Sequence, residues 1–249
     1  MGDTYESEAL LNQYLLFHYG TAKDQFPYDF NISEAFDFPV RCAQEGINLG
    51  ALNETGRALD LGCSVGRSTF ELAKSFDSVT GIDYSSSFIQ AAQKLKSKGS
   101  HAVNYLEEGT QFNQSEVFVD SDIIRERVSF ECGDAQNLRS DLGSFDFVLA
   151  CNLICRLPNP MALLDRLPTL VRPKGQLFIT TPFTWLEEYT PRENWLGSGG
   201  EDSFNGLQNA LGKHFKLLKH WDMPFLIREH SRKFQFSIAQ ASRWVRVED

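Results

Sequence analysis

The sequence predicts an α/β fold in which a mainly parallel β-sheet is covered by helices on both faces. From about residue 57 onward, short apolar segments typical of strands alternate with helical segments, and this alternation indicates parallel strands joined by helical crossovers. A glycine-containing loop at 61–66 follows the first strand and leads directly into a helix. No internal repeat or low-complexity tract is visible, so the sequence favours one domain over residues 1–249.

The elements can be assigned in chain order from the apolar runs and the turn residues between them. Predicted strands cover 57–60, 78–83, 128–132, 145–150 and 176–181, and two longer strands follow near 215–221 and 233–239. Predicted helices cover 67–76, 85–96, 161–171 and 204–211, and a predicted turn covers 172–175. Ser85 is the expected N-cap of the second of these helices, because its hydroxyl can accept a hydrogen bond from a free amide of the first turn.

Two segments lie outside this alternation, and we interpret both as additions to the same domain. Residues 1–56 are helical in pattern and rich in aromatic residues, and we expect them to form a lid. Residues 98–127 are an insertion that interrupts the second strand–helix unit with a polar stretch. The core is expected over 57–181, and 182–249 hold a loop-rich stretch and the last strands.

The charge distribution bears on the class of partner. The chain has 249 residues, with 24 Lys and Arg against 33 Asp and Glu, and a formal net charge of −9. A phosphate backbone or an anionic membrane surface would be repelled, so a small molecule is the expected partner, rather than nucleic acid or a membrane. Residues 1–56 carry nine acidic and two basic residues, whereas 211–249 carry eight basic and four acidic residues. Opposite charges facing each other across a cleft would suit a zwitterionic amino acid.

The cysteines and the apolar runs bear on the compartment. The five cysteines are odd in number and form no CxxC pair, so reduced thiols in a cytoplasmic protein are expected. Cys151 and Cys155 are four residues apart, but no neighbouring histidine pair completes a ligand set, and no metal is expected. No signal pattern is visible at the start, and no run approaches the about 18 apolar residues of a membrane span.

The strongest chemical signal is the loop that follows the first strand. Gly62 allows a sharp turn and a close approach of a ligand to the backbone, and Gly66 opens the helix whose free amides face the same point. Asp60 precedes this loop, and a second acid, Asp83, ends the next strand, where dinucleotide folds place an acid on the ribose hydroxyls. The spacing is Gly-x3-Gly rather than GxGxxG, which fits a pyrophosphate cradle less well.

Together with Gly133-Asp134-Ala135 after the third strand, this pattern resembles the class I S-adenosylmethionine-dependent methyltransferases. The resemblance implies a Rossmann-like sheet of seven mostly parallel strands with the last strand antiparallel. It also implies that Asp60 and the 62–66 loop hold the methionine part of the cofactor, that Asp83 takes the ribose hydroxyls, and that Asp134 and Ala135 contact the adenine. The full set of cofactor residues implied in this way is Asp60, Gly62, Cys63, Ser64, Gly66, Asp83, Tyr84, Asp134, Ala135 and Asn152.

Further segments are similar to one narrower family, the methyltransferase domain at the C-terminus of ovothiol synthases, a 4-mercaptohistidine N1-methyltransferase. The segments that carry this resemblance are 14–20, 38–41, 152–158, 181–188, 190–197 and 224–233. The resemblance implies methyl transfer to the imidazole π nitrogen of 5-thiohistidine, which gives ovothiol A. The sulfoxide synthase half of such proteins is absent from this sequence, so a sulfoxide synthase domain or partner is implied, and the chain is either an excised domain or a stand-alone enzyme.

Methyl transfer from a sulfonium to a ring nitrogen needs orientation more than a covalent nucleophile. The reacting nitrogen must be unprotonated, and a hydrogen bond to the other nitrogen or to the thiolate selects that tautomer. His230, Tyr28 and Asn152 are the candidate catalytic residues; His230 would set the tautomer or act as a base, unless it belongs to a solvated hairpin tip.

The candidate substrate residues are cations and aromatic rings in the variable regions. Arg41 or Arg228 could bind the α-carboxylate through a bidentate fork, although each could instead pair with an acidic residue of the lead-in. Arg156 follows the fourth strand by one helical turn and has a surface ion pair as its alternative. Tyr14 and Trp185 could face a flat thioimidazole or a sulfonium, although aromatic residues at helical spacing more often pack in the core.

Three other functions stay open at this point. The acceptor could be another small thiol, phenol or carboxylate, because the core motifs indicate the donor and not the acceptor. A nicotinamide-dependent oxidoreductase would have a related fold, but the absence of GxGxxG disfavours it. A non-catalytic S-adenosylmethionine-binding module is disfavoured by the complete set of Asp60, Asp83 and Asp134.

Overall fold

A seven-stranded sheet forms the centre of the computed structural model, which describes residues 6–197 and 199–248. The strands are β1 (Arg57–Leu61), β2 (Ser78–Asp83), β3 (Ser100–Glu108), β4 (Gln111–Phe118), β5 (Val128–Cys132), β6 (Phe145–Cys151), β7 (Val171–Thr181), β8 (Phe215–His230) and β9 (Lys233–Arg246). Their order in the large sheet is β5-β2-β1-β6-β7-β9-β8, and β3 and β4 form a separate pair.

The topology confirms the predicted sheet. β1 pairs in parallel with both β2 and β6, β2 with β5, and β6 with β7, whereas β9 runs antiparallel to β7 and β8. The chain leaves β1 toward one edge and returns at β6 toward the other, so a crevice opens where the carboxyl ends of β1 and β6 meet. Open α/β sheets bind their ligands at such a switch point.

Eight α-helices are described beside the sheet. They are α1 (Glu8–Tyr19), α2 (Ala22–Gln25), α3 (Phe38–Gly46), α4 (Arg67–Leu72), α5 (Ser86–Lys98), α6 (Pro160–Leu164), α7 (Leu167–Leu170) and α8 (Ser203–Leu211). The predicted Ser85 cap is confirmed, since its hydroxyl accepts a hydrogen bond from the Phe88 amide at 3.2 Å. The helix predicted over 161–171 is two short helices, because Pro168 in the first turn of α7 lacks the N–H that a continuous helix would need.

The two core clusters lie on opposite faces of the sheet. Ala58 of β1 and Phe147 of β6 pack in one cluster, whereas Leu59 and Val148, the next residue in each strand, pack in the other. This alternation follows from the two-residue period of side-chain direction in a strand. Leu15 and its neighbours in α1 are buried in the first cluster, so the N-terminal segment packs on the core.

Two stretches differ from the predicted elements. The predicted turn at 172–175 lies inside β7, where the pairing with β6 jumps from Phe145 opposite Val171 to Phe147 opposite Gln176 and leaves the intervening residues as an irregularity. β8 and β9 are roughly twice as long as predicted and form one hairpin over 215–246. Pro224 does not end β8, because β8 is the edge strand and has a free side where the missing N–H costs no ladder bond.

The lead-in and the insertion come together at one end of this hairpin. The insertion forms the antiparallel β3–β4 hairpin, whose turn contains Gly109 at φ +58°. α1 packs against β3, β4 and β8. Within residues 6–197 and 199–248, no helix has the length and hydropathy of a membrane span.

Candidate active site

A cavity of about 700 Å³ opens at the carboxyl ends of the parallel strands. Its floor includes Asp60 at the end of β1, Asp83 at the end of β2 and Asn152 directly after β6, and α1 and α3 close it from above. The predicted site residues that line it are Tyr14, Asp60, Gly62, Cys63, Ser64, Asp83, Tyr84, Asp134, Ala135, Asn152 and Arg156. The position of the cavity matches the switch point of the sheet.

The loop between β1 and α4 has an unusual backbone. Gly62, Ser64 and Gly66 have φ values of +70°, +51° and +86°, in the left-handed region that non-glycine residues rarely adopt. A Cβ at Gly66 would lie 2.7 Å from the Phe130 ring, so this glycine shapes the loop although it does not itself line the cavity. The Ser64 conformation is held by its amide, which donates to Asp83 at 2.8 Å.

Two carboxyl groups lie beside this loop. Asp83 accepts from the Ser64 amide through one oxygen and from the Ser85 amide through the other, at 2.8 and 2.9 Å. Asp60 is 2 % exposed and accepts from the Thr69 hydroxyl at 2.7 Å. Burial, opposed by the Thr69 bond and aided by the Asp83 charge, raises the pKa of Asp60 to about 7. Burial also raises the pKa of Asp83. A cationic or hydroxyl-bearing ligand would stabilise both carboxylates.

These groups fit the donor that the resemblance implies. The Ser64 hydroxyl is buried and has no hydrogen-bond partner among the residues that the structure describes, so it can bond to a ligand in the cavity. Asp134 accepts from the Gln136 amide at 2.8 Å, which fixes the loop after β5 on the same wall as Asp83. Tyr84 is 61 % exposed at the rim. The carboxylates could bind the ammonium and ribose hydroxyl groups of S-adenosylmethionine. The Ser64 hydroxyl could add a hydrogen bond, and the Tyr84 ring could lie against the adenine.

The aromatic end of the cavity is formed mainly by side chains of the lead-in. Tyr14, Phe17 and His18 of α1 face the cavity together with Phe38 of α3 and Phe225 of β8. The Phe17 and Phe38 rings are stacked with centroids 6.2 Å apart, and the Phe38 and Phe225 centroids are 4.8 Å apart. This end therefore offers flat apolar surfaces and few groups that would hold water.

His18 is a cavity residue that the sequence did not single out. Its Nδ1 is buried, with no hydrogen-bond partner in the described ranges, and burial together with the Arg67 charge lowers its pKa to about 3. The imidazole is thus neutral at physiological pH. The apolar spacing of α1 placed His18 on the inward face, but this signal does not separate a core residue from a cavity residue. The next residue, Tyr19, ties α1 to the glycine loop by donating to the Val65 carbonyl at 2.9 Å.

Arg156 supplies the only Lys or Arg side chain in the cavity lining described by the structure. Its guanidinium donates to the Thr184 carbonyl at 2.8 Å and lies 5.1 Å from the centre of the Tyr189 ring. Asn152 lies nearby at φ +52°, and its side-chain oxygen accepts from the Thr180 hydroxyl at 3.0 Å. The cation is therefore fixed at one wall by contacts with the loop after β7.

Both arginines that were expected to bind a carboxylate lie outside the cavity lining. Arg41 donates to the backbone carbonyls of Phe36 and Pro224 at 2.9 and 2.6 Å, which ties the lead-in to β8. Arg228 is 5 % exposed and forms an ion pair with Glu107. Carbonyl groups and a carboxylate of the protein contact these guanidinium groups, so both arginines have structural partners and the predicted carboxylate ligand has to be sought elsewhere in the lining.

Three further candidates also lie outside the lining. His230 ends β8 at the hairpin tip, and its Nδ1 accepts from the Arg232 amide at 3.2 Å. Tyr28 is exposed and packs edge-on against the buried Phe26 ring. The Trp185 indole donates to the Ser203 hydroxyl at 2.9 Å, so this ring braces α8 rather than the cavity. For His230 this is the hairpin tip that the sequence offered as its alternative, whereas the partners of Tyr28 and Trp185 were not indicated by the sequence.

Comparison with known families gives one match over most of the chain. The family model described as "Methyltransferase domain" matches residues 33–243. Curated relatives include ubiquinone biosynthesis O-methyltransferases of Coxiella burnetii, 29 % identical over 123 residues, and of Pasteurella multocida, 27 % identical over 126 residues. These matches cover 49 and 50 % of this chain but only 42 and 46 % of the relatives.

Solved structures show the same fold at low identity. The N-methyltransferase NodS of Bradyrhizobium japonicum WM9 in complex with S-adenosyl-L-homocysteine has a TM-score of 0.53 at 14 % identity, over 96 % of this chain and 99 % of that chain. The [4+2]-cyclase SpnF has a TM-score of 0.58 at 19 % identity, over 89 % of this chain and 74 % of that chain. These likenesses establish the Rossmann-like fold and leave the acceptor open.

Proposed function

Because the chain belongs to the methyltransferase domain family, we propose that it transfers a methyl group from S-adenosylmethionine to the imidazole π nitrogen of 5-thiohistidine, giving ovothiol A. The observation that carries the proposal is one cavity with two chemically different ends. Acids and the strained glycine loop form one end, and stacked aromatic rings with a neutral histidine form the other. A cavity of about 700 Å³ has the size of ordinary small-molecule sites.

The donor end is assigned to the residues around Asp60, Ser64, Asp83 and Asp134. S-adenosylmethionine supplies a methyl group that its sulfonium already activates. Asp83 would accept from the ribose hydroxyls, because both of its oxygens are oriented by backbone amides. Asp60 would face the cationic methionine part and ionise there, since a nearby positive charge lowers the pKa of a carboxyl group.

The acceptor is assigned to the end of the cavity that carries the aromatic rings and to Arg156, the one Lys or Arg side chain of the described lining. A flat thioimidazole ring would lie against Tyr14, Phe38 or Phe225. Arg156 would bind the α-carboxylate of the amino acid, because it is the cation that the described lining offers. His18 stays neutral and adds no positive charge that would repel the donor. This arrangement replaces Arg41 and Arg228 as the expected carboxylate ligands.

The chemistry asked of these residues is orientation and exclusion of water. The ring nitrogen must approach the methyl carbon in line with the bond that breaks, with the nitrogen lone pair unprotonated. As the N–CH₃ bond forms, the electron pair of the breaking S–CH₃ bond stays on sulfur, so the protein needs no covalent nucleophile. The aromatic end keeps the reacting atoms dry and offers the electron-rich ring faces that cations prefer.

A methyl transfer to a phenol is the second candidate, and the names of the curated relatives favour it. Their alignments cover only about half of this chain, however, at 29 and 27 % identity. In the thiohistidine proposal, a sulfoxide synthase domain or partner would supply the acceptor. The two candidates differ in what the acceptor end must hold, because a simple phenol has no α-carboxylate for Arg156.

A competition among acceptors tests the proposal. The protein is incubated with S-adenosylmethionine and an equimolar mixture of 5-thiohistidine, histidine, ergothioneine, cysteine and a catechol. The products are identified by mass spectrometry. We expect only thiohistidine to gain one methyl group. Arg156→Gln should raise the KM for thiohistidine, whereas Arg139→Gln, at an exposed arginine paired with Glu131 and Asp141, should not. Methylation of the catechol alone would establish the second candidate instead.

A further inference from the structure

The β3–β4 hairpin lies outside the large sheet and contacts the two elements that cover the acceptor end. It packs against α1 of the lead-in and against β8 of the C-terminal hairpin. The Asn104 amide of β3 donates to the Asn12 side chain of α1 at 2.8 Å. Ser231, between β8 and β9, donates to the Glu107 carbonyl of β3 through its amide at 3.0 Å and its hydroxyl at 2.7 Å. The hairpin is thus fastened to both neighbours.

Arg228 lies at the centre of these contacts. Its guanidinium forms an ion pair with the Glu107 carboxylate at 2.5 Å and donates to the Asp24 carbonyl at 2.6 Å. The same group lies 4.9 Å from the centre of the Tyr105 ring, whose hydroxyl donates to the Asp24 carboxylate at 3.2 Å. One buried cation therefore joins β8, the insertion and the segment after α1. A charge buried to this degree is stable only while its partners stay in place.

The contacts continue from this cation to the cavity through neighbouring residues. The Gln13 side chain of α1 donates to the Arg228 carbonyl at 2.9 Å, and Gln13 lines the cavity. Ile227 and Tyr14, the chain neighbours of these two residues, line the cavity as well. The lining residues at the donor end lie at the ends of β1 and β2 and on the loops after β1, β2 and β5, and the bonds described above do not join them to Arg228 or Glu107. The helix α1 also contacts this end, through the Tyr19 hydroxyl on the Val65 carbonyl and the Tyr14 ring 5.0 Å from that of Phe88.

We propose that the Glu107–Arg228 pair, held by the insertion hairpin, is a positioning latch that fixes α1 against β8 and so shapes the acceptor end of the cavity. The pair acts through Gln13 and the α1 residues beside it, without touching substrate. Its function is to set the affinity for the acceptor, while the donor acids keep their own contacts, Asp83 with the Ser64 and Ser85 amides and Asp60 with the Thr69 hydroxyl. The link to an acceptor rests on the proposed function, whereas the mechanical link between the hairpin and α1 does not.

The substitution Glu107→Gln removes the charge while keeping the size of the side chain. Its matched control is Glu116→Gln on the other strand of the same hairpin, where the exposed carboxylate accepts only from the Ser100 hydroxyl among the bonds described. We expect Glu107→Gln to raise the KM for the acceptor by about tenfold or more, since small misplacements of this kind weaken productive binding. The dissociation constant of S-adenosylhomocysteine, measured by calorimetry, should stay within about twofold. Glu116→Gln should change neither quantity.

Hydrogen exchange supplies a readout that needs no acceptor. With S-adenosylhomocysteine bound, amides of residues 8–19 should exchange faster in Glu107→Gln than in the wild type, and amides of β1 and β2 should not. Combining Glu107→Gln with Arg228→Met removes the unpaired cation and should restore part of the protection.

If Glu107→Gln lowers the melting temperature too far, Ser231→Ala tests the contact between the hairpin and β8 while keeping the ion pair. Unchanged exchange in α1, or an equal loss of donor affinity, would overturn the latch. If no acceptor in the competition is methylated while α1 is released as expected, only the proposed function fails.

Discussion

Asp83 shows how the protein prepares one side chain for a ligand. Two backbone amides hold its oxygens, and burial raises its pKa, so the free protein keeps a carboxylate whose charge is only partly compensated. Asp83→Asn should weaken S-adenosylhomocysteine binding by at least about tenfold, because hydrogen bonds to charged groups contribute about 1.5–3 kcal/mol. Calorimetry measures this, and Asp141→Asn, at an exposed carboxylate paired with Arg139, is the control. Equal affinity in the wild type and Asp83→Asn would remove Asp83 from the donor site.

His18 should leave a signature in the pH dependence of stability. Its pKa is about 3 in the folded protein and near 6.5 when unfolded, so between these values the unfolded chain binds a proton that the folded protein does not. The free energy of unfolding contributed by His18 therefore falls as the pH falls below 6.5, by about 2 kcal/mol at pH 5. Asp60 has the opposite effect, because its pKa is raised to about 7.

The comparison with a variant isolates this contribution. In urea unfolding between pH 5 and 7.5, His18→Gln should lose less stability on acidification than the wild type, by about that 2 kcal/mol. His220→Gln, at an exposed histidine on β8, should follow the wild-type curve. Parallel curves for the wild type and His18→Gln would mean that His18 is protonated in the folded protein.

The turn between β1 and α4 is the element on which the donor end depends. Gly66 has φ +86° and would place a Cβ 2.7 Å from Phe130 and 3.2 Å from Ala92. Gly109, in the β3–β4 turn, has φ +58° and open space around a Cβ. Alanine at either site incurs the left-handed backbone penalty, but only Gly66→Ala also incurs a steric clash. Urea unfolding should therefore show Gly66→Ala to be the less stable variant by about 1–3 kcal/mol. Equal losses would mean that Phe130 moves aside at no cost.

Strands and helices were predictable where neighbouring residues in the sequence alone mark the element. β2 and β5 begin and end at the predicted residues, because in each a short stretch of alternating apolar and polar residues is bounded by turn residues. The insertion gave no such signal: β4 is mostly exposed and polar, so its pairing with β3 depends on the tertiary contacts described above. The ends of β8 and β9 were missed for a different reason. Residues 240–245, in the missed part of β9, pair with β7, and the missed part of β8 carries Met223 and Phe225 of the first core cluster, so partners distant in the sequence set both ends.

Site residues were predictable where a chemically distinctive residue stands at the end of a predicted strand. The acids and glycines of the donor end follow strand ends, which fixes their place in any sheet of this topology. The positions of Arg41 and Arg228 were not predictable, because the sequence does not indicate which carbonyl or carboxylate a guanidinium will contact. The place of His18 in the cavity was not predictable either, because an inward-facing residue of a helix can equally pack in the core.

At the scale of the whole molecule, the acidic lead-in and the basic tail do meet, but not as the sequence suggested. Arg243 of β9 donates to the carbonyls of Glu45 and Gly46, and Arg41 donates to that of Pro224. The ion pairs described for 6–197 and 199–248 include none between a carboxylate of the lead-in and a cation of the tail. Guanidinium-to-carbonyl bonds therefore join the two ends, and the charge imbalance does not itself build the substrate site.

Isotope-edited NMR of the product identifies the atom that receives the methyl group. The protein is given S-adenosylmethionine labelled with ¹³C in the methyl group and 5-thiohistidine labelled with ¹⁵N in the ring. We expect a ¹³C methyl signal coupled to the π nitrogen and to no other nitrogen. A methyl signal without coupling to nitrogen, as expected for transfer to sulfur, or one coupled to the τ nitrogen, would contradict this expectation.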